Sequence, residues 1–399
     1  MPDRPYRIGL LFAQFAAYHI DRCEAVGRRM AGRADVLAVE VATSSDTYAW
    51  EASGQVAAAR KQVLFPGANY DAIAWPRRLW AQFRALRRCH MVLIGIGYNE
   101  PDIIALSWLL RLCGVQVVAL SESKFDDKPR RAGTELLKAL ILAPYNAAIV
   151  GASRHRAYFR FLGFRQRPVL PGYDSIGVER IRAMGGAHLA PMGMAFADRN
   201  FAFVGRFVDK KNLIELVDAF ALYRAAAGPR PRRLVLIGSG AEEAAIRARA
   251  EQRDVSDVID FTGFLRAEDV AQLLAGSLAL LLPSLEEQWG LVVNEALAFG
   301  LPVIASSAVG STDVLVRTMV NGFVVEPGQP DSLAQAMLAT AGDEAQWKEM
   351  VKASHARAWL GDTDRLADAV EALIDSTNPE PAARIAEFWS NAACKSGLG

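Results

Sequence analysis

Two segments of this 399-residue chain place charged side chains at spacings that could do chemistry. The more informative runs Pro283-Ser-Leu-Glu-Glu-Gln-Trp-Gly-Leu-Val-Val-Asn-Glu-Ala-Leu-Ala. An apolar strand ends at Pro283, a polar loop carries Glu287, and Gly290 opens a helix that carries Glu295. The N–H groups of Trp289, Gly290 and Leu291 then lie at a helix N-terminus, a natural anion site, and glycine at 290 lets the backbone approach a ligand closely. One carboxylate beside an anion site and another further along suit a ligand with hydroxyls at two places. The spacing is equally met by a strand–loop–helix with a capping acid. The second segment is Val204-Gly-Arg-Phe-Val-Asp-Lys-Lys-Asn. Arg206 and Lys211 stand at the carboxyl end of a strand, where two fixed cations can neutralise a diphosphate without a metal. A solvated basic loop is the alternative.

Together the segments read Gly-Arg-x4-Lys and, 76 residues after that lysine, Glu-x-x-Gly-Leu-x3-Glu-Ala-Leu-Ala-x-Gly-x-Pro-Val-Ile-Ala. The pattern resembles the retaining glycosyltransferases of family four, the glycosyl transferases group 1 set, over about 200–340. Leu236-Ile-Gly-Ser-Gly, Phe261-Thr-Gly-Phe and Asn321-Gly-Phe-Val-Val-Glu-Pro-Gly add to it. The first half is similar, more loosely, to the acceptor side of some bacterial members, through Ser121-Glu-Ser-Lys-Phe-Asp-Asp-Lys-Pro-Arg-Arg, Glu135-Leu-Leu-Lys and Gly172-Tyr-Asp.

The resemblance implies an α/β chain of the GT-B type, two Rossmann-like doubly wound domains facing a central cleft. It implies a nucleotide-diphosphate sugar as co-substrate, with no separate cofactor and no metal. Arg206 and Lys211, beside Gly205, would hold the diphosphate. Glu287 would contact sugar hydroxyls, the Trp289, Gly290 and Leu291 backbone sugar or phosphate, and Glu295 the ribose. Gly238, Ser239, Phe264 and Leu265 would surround the base, and Gly310 and Ser311 would open another helix at the same site. Two departures matter. The loop after the first strand, Phe12-Ala-Gln-Phe-Ala-Ala-Tyr-His-Ile-Asp-Arg, lacks the family's glycines, so it is expected to meet the acceptor, with His19 as a catalytic candidate. Where many members carry a histidine, this chain has Ser121-Glu-Ser, which makes Glu122 the acceptor-side polar candidate. Asp126, Asp127, Lys128 and Arg130 would form a polar loop nearby. His19 and Glu122 are also open to structural readings, as packing and capping groups.

Apolar runs alternating with helical stretches must position these residues, and that alternation argues parallel sheets covered on both faces. The first unit predicts strands at 6–12, 35–41, 90–95, 114–120 and 147–151, with helices at 19–33, 53–62, 76–88, 101–112 and 130–142. The second predicts strands from 201, 233, 258, 278, 302 and 322, with helices at 211–227, 241–252, 267–275, 290–299 and 311–317 and more from 330. The expected division is an acceptor-binding domain 1–175, a glycine-rich linker 176–200 with a short helix around 178–184, and a donor-binding domain 201–380. A terminal helix, 381–399, would pack there or cross back. Asp362-Thr-Asp looks like a metal-binding triplet but falls in a helical region, so it reads as a helix cap.

Composition is that of an ordinary soluble globular chain, 52% hydrophobic and 22% charged, with room for two domains. No apolar run is long enough to span a bilayer, the opening Met1-Pro-Asp-Arg-Pro lacks a signal pattern, and Cys23, Cys89, Cys113 and Cys394 form no CxxC pair. A cytoplasmic protein with reduced thiols is expected. The net charge of +1 hides an asymmetry: residues 1–175 carry 24 basic and 15 acidic side chains, the remainder 21 and 29. No nucleic-acid motif accompanies the basic half, so nucleic acid is not an expected partner. The stretch 76–88, with Arg77, Arg78, Arg84, Arg87 and Arg88 around Trp80, fits docking to an anionic membrane surface, peripheral on the inner face. The acceptor would then be a glycan or a lipid-linked one in polysaccharide or glycolipid synthesis. A transferase for a small soluble acceptor and a non-catalytic nucleotide-sugar-binding subunit are the alternatives.

Overall fold

The computed structural model describes residues 6–46, 54–229 and 231–393. They divide into two compact units, residues 178–361 forming the second and the chain on either side of them the first. The first unit runs β1 (Tyr6–Phe12), α1 (Ala17–Arg29), β2 (Ala34–Ser44), β3 (Arg60–Asn69), α2 (Trp75–Leu86), β4 (Met91–Ile94), α3 (Pro101–Leu112), β5 (Gln116–Ser121), α4 (Ala132–Ile141), β6 (Ala147–Val150), α5 (Ser153–Phe161) and β7 (Val169–Pro171). Its strands form one parallel sheet in the order β3-β2-β1-β4-β5-β6-β7. The second unit runs α6 (Val178–Gly185), β8 (Phe201–Val204), α7 (Leu213–Ala226), β9 (Leu234–Ile237), α8 (Glu243–Gln252), β10 (Ile259–Gly263), α9 (Ala267–Ala275), β11 (Ala279–Leu282), α10 (Leu291–Ala298), β12 (Val303–Ser306), β13 (Gly322–Val325), α11 (Pro330–Gly342) and α12 (Glu344–Arg357). Its parallel sheet has the order β10-β9-β8-β11-β12-β13. Met91–Ile94 and Ala279–Leu282 are wholly buried and wholly apolar, as strands covered on both faces must be. Both sheets reverse direction beside their first strand, so each has a switch point at which a doubly wound sheet presents its loops to ligands.

Four expectations are corrected. The helix expected at 53–62 is absent from its described part; the chain enters β3 at Arg60. The alanine run Ala57–Ala59 favours helix locally, but β2 is long and its outer edge takes β3 from Leu37↔Arg60 to Ala42↔Phe65. Pro66 is tolerated there because β3 is the edge strand. The short strand β7 was also not expected. The stretch 176–200 is not a free linker. The short helix expected there is present as α6, but the stretch folds onto the second unit: Ala190 N–H donates to the Phe299 carbonyl at 3.1 Å, and the buried Arg199 guanidinium donates to the carbonyls of Ala275 and Ser277.

The chain returns to the first unit at residue 362, not near 381. There α13 (Asp364–Ile374) and α14 (Pro379–Ala393) close the fold. Leu366, Ala369 and Val370 of α13 share a core with Cys23 and Val26 of α1 and with the strand residues Ile8 and Leu10. A charge-paired seam fixes the register: Arg29 Nη1 lies 2.6 Å from Asp368 Oδ1, and Arg384 Nε lies 2.7 Å from the same oxygen. Asp362 Oδ1 accepts from the Asp364 N–H at 2.9 Å, which is the helix-cap role expected of that triplet. Cys394 lies outside the described residues, as do the first five residues and the tail beyond 393.

Candidate active site

The carboxyl ends of the second unit's strands are bonded to one another, and glycines let them close. After β8 the backbone lies directly on the loop after β9: Gly205 N–H donates to the Ile237 carbonyl, and Phe207 N–H to that of Ser239 at 2.8 Å. A methyl group on Gly238, whose φ is +135°, would meet the Gly205 carbonyl oxygen at 2.0 Å, so no other residue fits without opening the loops. Gly238 N–H also donates to the Gly263 carbonyl, which ties in the loop after β10. Phe264 next to it is exposed, and Leu265 and Gly238 are half-buried; Ser239 is exposed. These residues form one surface around the ends of β9 and β10, where the base was expected.

The loop after β8 continues into a 3-10 turn, Asp209–Lys211, and a left-handed Asn212 that starts α7. The Lys210 carbonyl accepts from Leu285 N–H at 2.8 Å and so fixes this turn to the loop after β11. That contact brings Lys211 Nζ onto Glu287 Oε2. Both side chains keep about 15% exposure, the lysine 14% and the glutamate 15%, enough for a ligand to reach them. Arg206 is exposed on the same loop. The two halves of the sequence pattern, 76 residues apart, are therefore one ion pair in space.

Glu287 is held from behind. Its carbonyl accepts from Gly310 N–H, and the Trp289 carbonyl accepts from Ser311 N–H, both at 3.1 Å. Gly310 and Ser311 do not open a helix as expected; they form a single 3-10 turn, Gly310–Asp313. The reason lies downstream, where the Asn321 side chain and the Arg357 guanidinium take the Leu315 carbonyl that a helix would use. Gly290 caps α10 with φ +90°. A methyl there would meet Leu282 at 3.1 Å as well as adopting a conformation that L-residues disfavour. Gly290→Ala is expected to cost about 1–2 kcal/mol in urea unfolding, and an unchanged midpoint would refute the strain at this turn.

The sequence reading did not single out Asn294. It is buried inside the apolar run of α10, accepts from the Trp289 indole N–H at 2.9 Å and donates to the Gly361 carbonyl at 3.1 Å. An asparagine on the inward face of an apolar helix was the available signal, because buried amides require partners. Arg180 of α6 was missed as well. Glu295 is half-buried, burial pushes its carboxyl up to about 7, and Arg180 opposes that shift.

The first unit places its candidates differently. His19 is buried in the first turn of α1, its Nδ1 accepts from Ala16 N–H at 2.9 Å, and its ring lies 4.4 Å from that of Phe12. Burial keeps the imidazole neutral, with its pKa well below the usual value. Its place is that of a cap, not of a group presented on the loop. Arg22, which ends the loop sequence expected to meet the acceptor, lies three residues on, inside α1. Its guanidinium lies between the rings of Tyr18 and Tyr173, 4.7 Å from each, and donates to the Ser175 carbonyl. Asp174 beside it is pushed well up by burial and by the charge of Glu122, so Glu122 does stand in a polar cluster at the strand ends.

A model of the family described as "Glycosyl transferases group 1" matches residues 197–357. Residues 197–357 belong to that family. Among individual proteins, the D-inositol 3-phosphate glycosyltransferase of Jonesia denitrificans is 33% identical over 192 residues, 45% of either chain. The O-antigen chain mannosyltransferase C of Escherichia coli is 32% identical over 142 residues, 35% of this chain and 36% of that one. The chain thus matches less than half the length of each. Anabaena HepE, solved in complex with UDP, superposes with a TM-score of 0.68 at 16% identity, covering 93% of this chain and all of that one. This likeness shows the fold, two parallel Rossmann-like sheets as in GT-B proteins. The group 1 domain contains every donor-side candidate, from Gly205 to Ser311.

Proposed function

We propose that the protein is a retaining glycosyltransferase that moves a hexosyl group from a nucleoside diphosphate to an acceptor hydroxyl. The observation that carries this reading is the Lys211–Glu287 pair, fixed at the carboxyl ends of β8 and β11 beside the first turn of α10. A cation that can meet a diphosphate and a carboxylate that can accept from sugar hydroxyls are thereby held side by side. In the reaction the bond from the anomeric carbon to the diphosphate oxygen breaks and the acceptor oxygen bonds to the same face of that carbon. The diphosphate keeps the electron pair and takes the acceptor's proton. Arg206, Lys211 and the α10 N-terminus stabilise the charge that develops on it. The acceptor is a glycan, lipid-linked or small-molecule hydroxyl met by the first unit, with Glu122 as its polar contact. The mannosyl and inositol-phosphate relatives support a bacterial-type glycan or glycolipid product. Cytoplasmic residence with peripheral attachment through the basic helix α2 belongs to the same reading; no described helix is long and apolar enough to cross a membrane.

The test is a thermal-shift screen against UDP, GDP, ADP and their sugars. A nucleotide at 100 times its Kd should stabilise the chain by about 2.7 kcal/mol, and Arg206→Ala should reduce the shift. If no nucleotide series stabilises the protein, with or without divalent metal, the donor-site reading is wrong.

A further inference from the structure

Helix α4 is turned inside out. Its buried face is polar: Glu135 accepts from the Tyr158 hydroxyl at 2.6 Å, and Lys138 Nζ donates to both Glu135 and Tyr158 at 2.9 Å. Its leucines point to solvent, with Leu136, Leu137 and Leu140 exposed by 65%, 57% and 60%. Beside them Phe125 and Phe161, 50% and 60% exposed, pack edge to face with ring centroids 5.7 Å apart. A soluble surface has no use for three outward leucines on ten residues of helix, and an apolar patch of this kind marks a docking surface.

The patch is the centre of a whole face. The connections from β3 to β7 all step the same way across the sheet, so right-handed crossovers put α2, α3, α4 and α5 on one side. The step from β1 to β2 is opposite and puts α1 on the other side, with α13. Among the described residues of the first unit, all nine exposed large apolar side chains lie on α2–α5 or in the turn before α4. None lies on α1 or α13. Charge divides the same way. Helices α2–α5 carry eight basic residues and two acidic ones, Asp102 and Glu135, both buried. Helices α1 and α13 carry four basic and five acidic residues.

We propose that this face of the first unit seats on an anionic phospholipid bilayer, with Leu136, Leu137 and Leu140 entering the headgroup–acyl boundary. Exposed tryptophans on α2 and α3, Trp80 and Trp108, lie on the same side of the sheet and would serve as aromatic anchors. The four helices carry no exposed acid, and the exposed Asp126 in the turn before α4 is paired with Arg154 of α5, so the face keeps a net positive charge, which decides the occupant. A second copy docking face to face would bring two cationic rims together, whereas an anionic lipid surface meets them with opposite charge. The inference rests on the peripheral attachment in the reading above, moves its centre from α2 to α4, and does not depend on the transfer reaction.

The test is cosedimentation of the full chain with phosphatidylcholine vesicles, with and without a phosphatidylglycerol fraction, at low and high salt. Binding is expected only to the anionic vesicles and should weaken as salt rises. Replacing Leu136, Leu137 and Leu140 together by serine should lower the partition coefficient at least about tenfold. Leu222→Ser, at an exposed leucine of the second unit, should leave it unchanged. No binding to anionic vesicles at low salt, or equal binding by the triple variant, overturns the proposal. So does a self-association of the wild type that the triple variant abolishes while neither binds vesicles. The nucleotide-induced thermal shift, measured on the same preparations, separates the two readings. A shift without vesicle binding removes the docking face alone, and vesicle binding without any shift removes the donor site alone.

Discussion

Lys211→Ala is expected to lower sugar transfer by about 10²–10³-fold and to abolish the thermal shift given by the nucleoside diphosphate itself. Lys211 is held by its 3-10 turn, and Leu285 N–H fixes that turn through the Lys210 carbonyl, so the ammonium does not reorganise when charge develops. A preorganised cation that is only 14% exposed acts at a lower effective dielectric than a surface charge and is worth correspondingly more. Alanine also leaves the Glu287 carboxylate facing the incoming diphosphate without its nearest cation. Attraction is replaced by repulsion, so binding should suffer along with turnover. Glu287→Gln gives the control. It keeps Lys211 and removes only the negative charge, so it should preserve the shift with the bare nucleotide and lose turnover with the sugar nucleotide. A Lys211→Ala protein that still shifts with the diphosphate and transfers within about twofold of wild type would end the assignment of the diphosphate site.

The turns that carry the donor-side candidates were legible in the sequence because they are local. Glycines 205, 238 and 290 stand where backbones must touch or turn, and Glu287, Gly290 and Glu295 follow one strand and one helix in order. What composition cannot announce is a choice made at long range. Ala57–Ala59 and the residues after them read as helix by propensity; β3 exists because β2 offers an open edge, its partner residues standing 23 positions earlier in the chain. The segment 311–317 has helical character, yet Asn321 and Arg357 compete for its carbonyls and stop it after one turn. The candidates of the first unit were harder to place for the same reason. His19 is a plausible loop histidine until Ala16, Phe12 and Phe15 enclose it. Arg22 becomes conspicuous only when Tyr173, 151 residues away, covers its other face. In α4 the leucine pattern was visible, but which side of the helix faced inward depended on Tyr158 from the next crossover.

Between pH 5 and 8 wild type is expected to lose stability relative to Glu295→Gln. Burial pushes the Glu295 carboxyl up to about 7 from an ordinary value of 4.5, and Arg180 only partly offsets it. In the unfolded chain the group loses its proton near its ordinary value, while in the folded chain it keeps the proton to about 7. Over that interval this carboxyl binds more protons in the folded state than in the unfolded one, so its contribution to stability declines as pH rises and levels off above about 7. The full difference amounts to about 3 kcal/mol, present as a penalty at pH 8 and absent near pH 4. Glutamine copies the protonated form in shape and charge. Its stability should equal that of wild type under acid conditions and exceed it at pH 8 by up to that amount, read from urea unfolding of both proteins across the range. Donor binding should run the other way. Ribose hydroxyls donate best to a carboxylate, so binding of a sugar nucleotide, whose diphosphate is doubly esterified and does not titrate here, should weaken about tenfold from pH 8 to pH 6. In the glutamine variant it should be flat. A stability difference that does not change with pH would show that Glu295 is ionised throughout, and equal nucleotide affinity at both pH values would show that it does not meet the ribose. Opposite slopes for folding and binding, both lost on a single isosteric change, are what a carboxylate reserved for a ligand produces. On that outcome, its burial destabilises the empty protein and is offset when ribose hydroxyls donate to it.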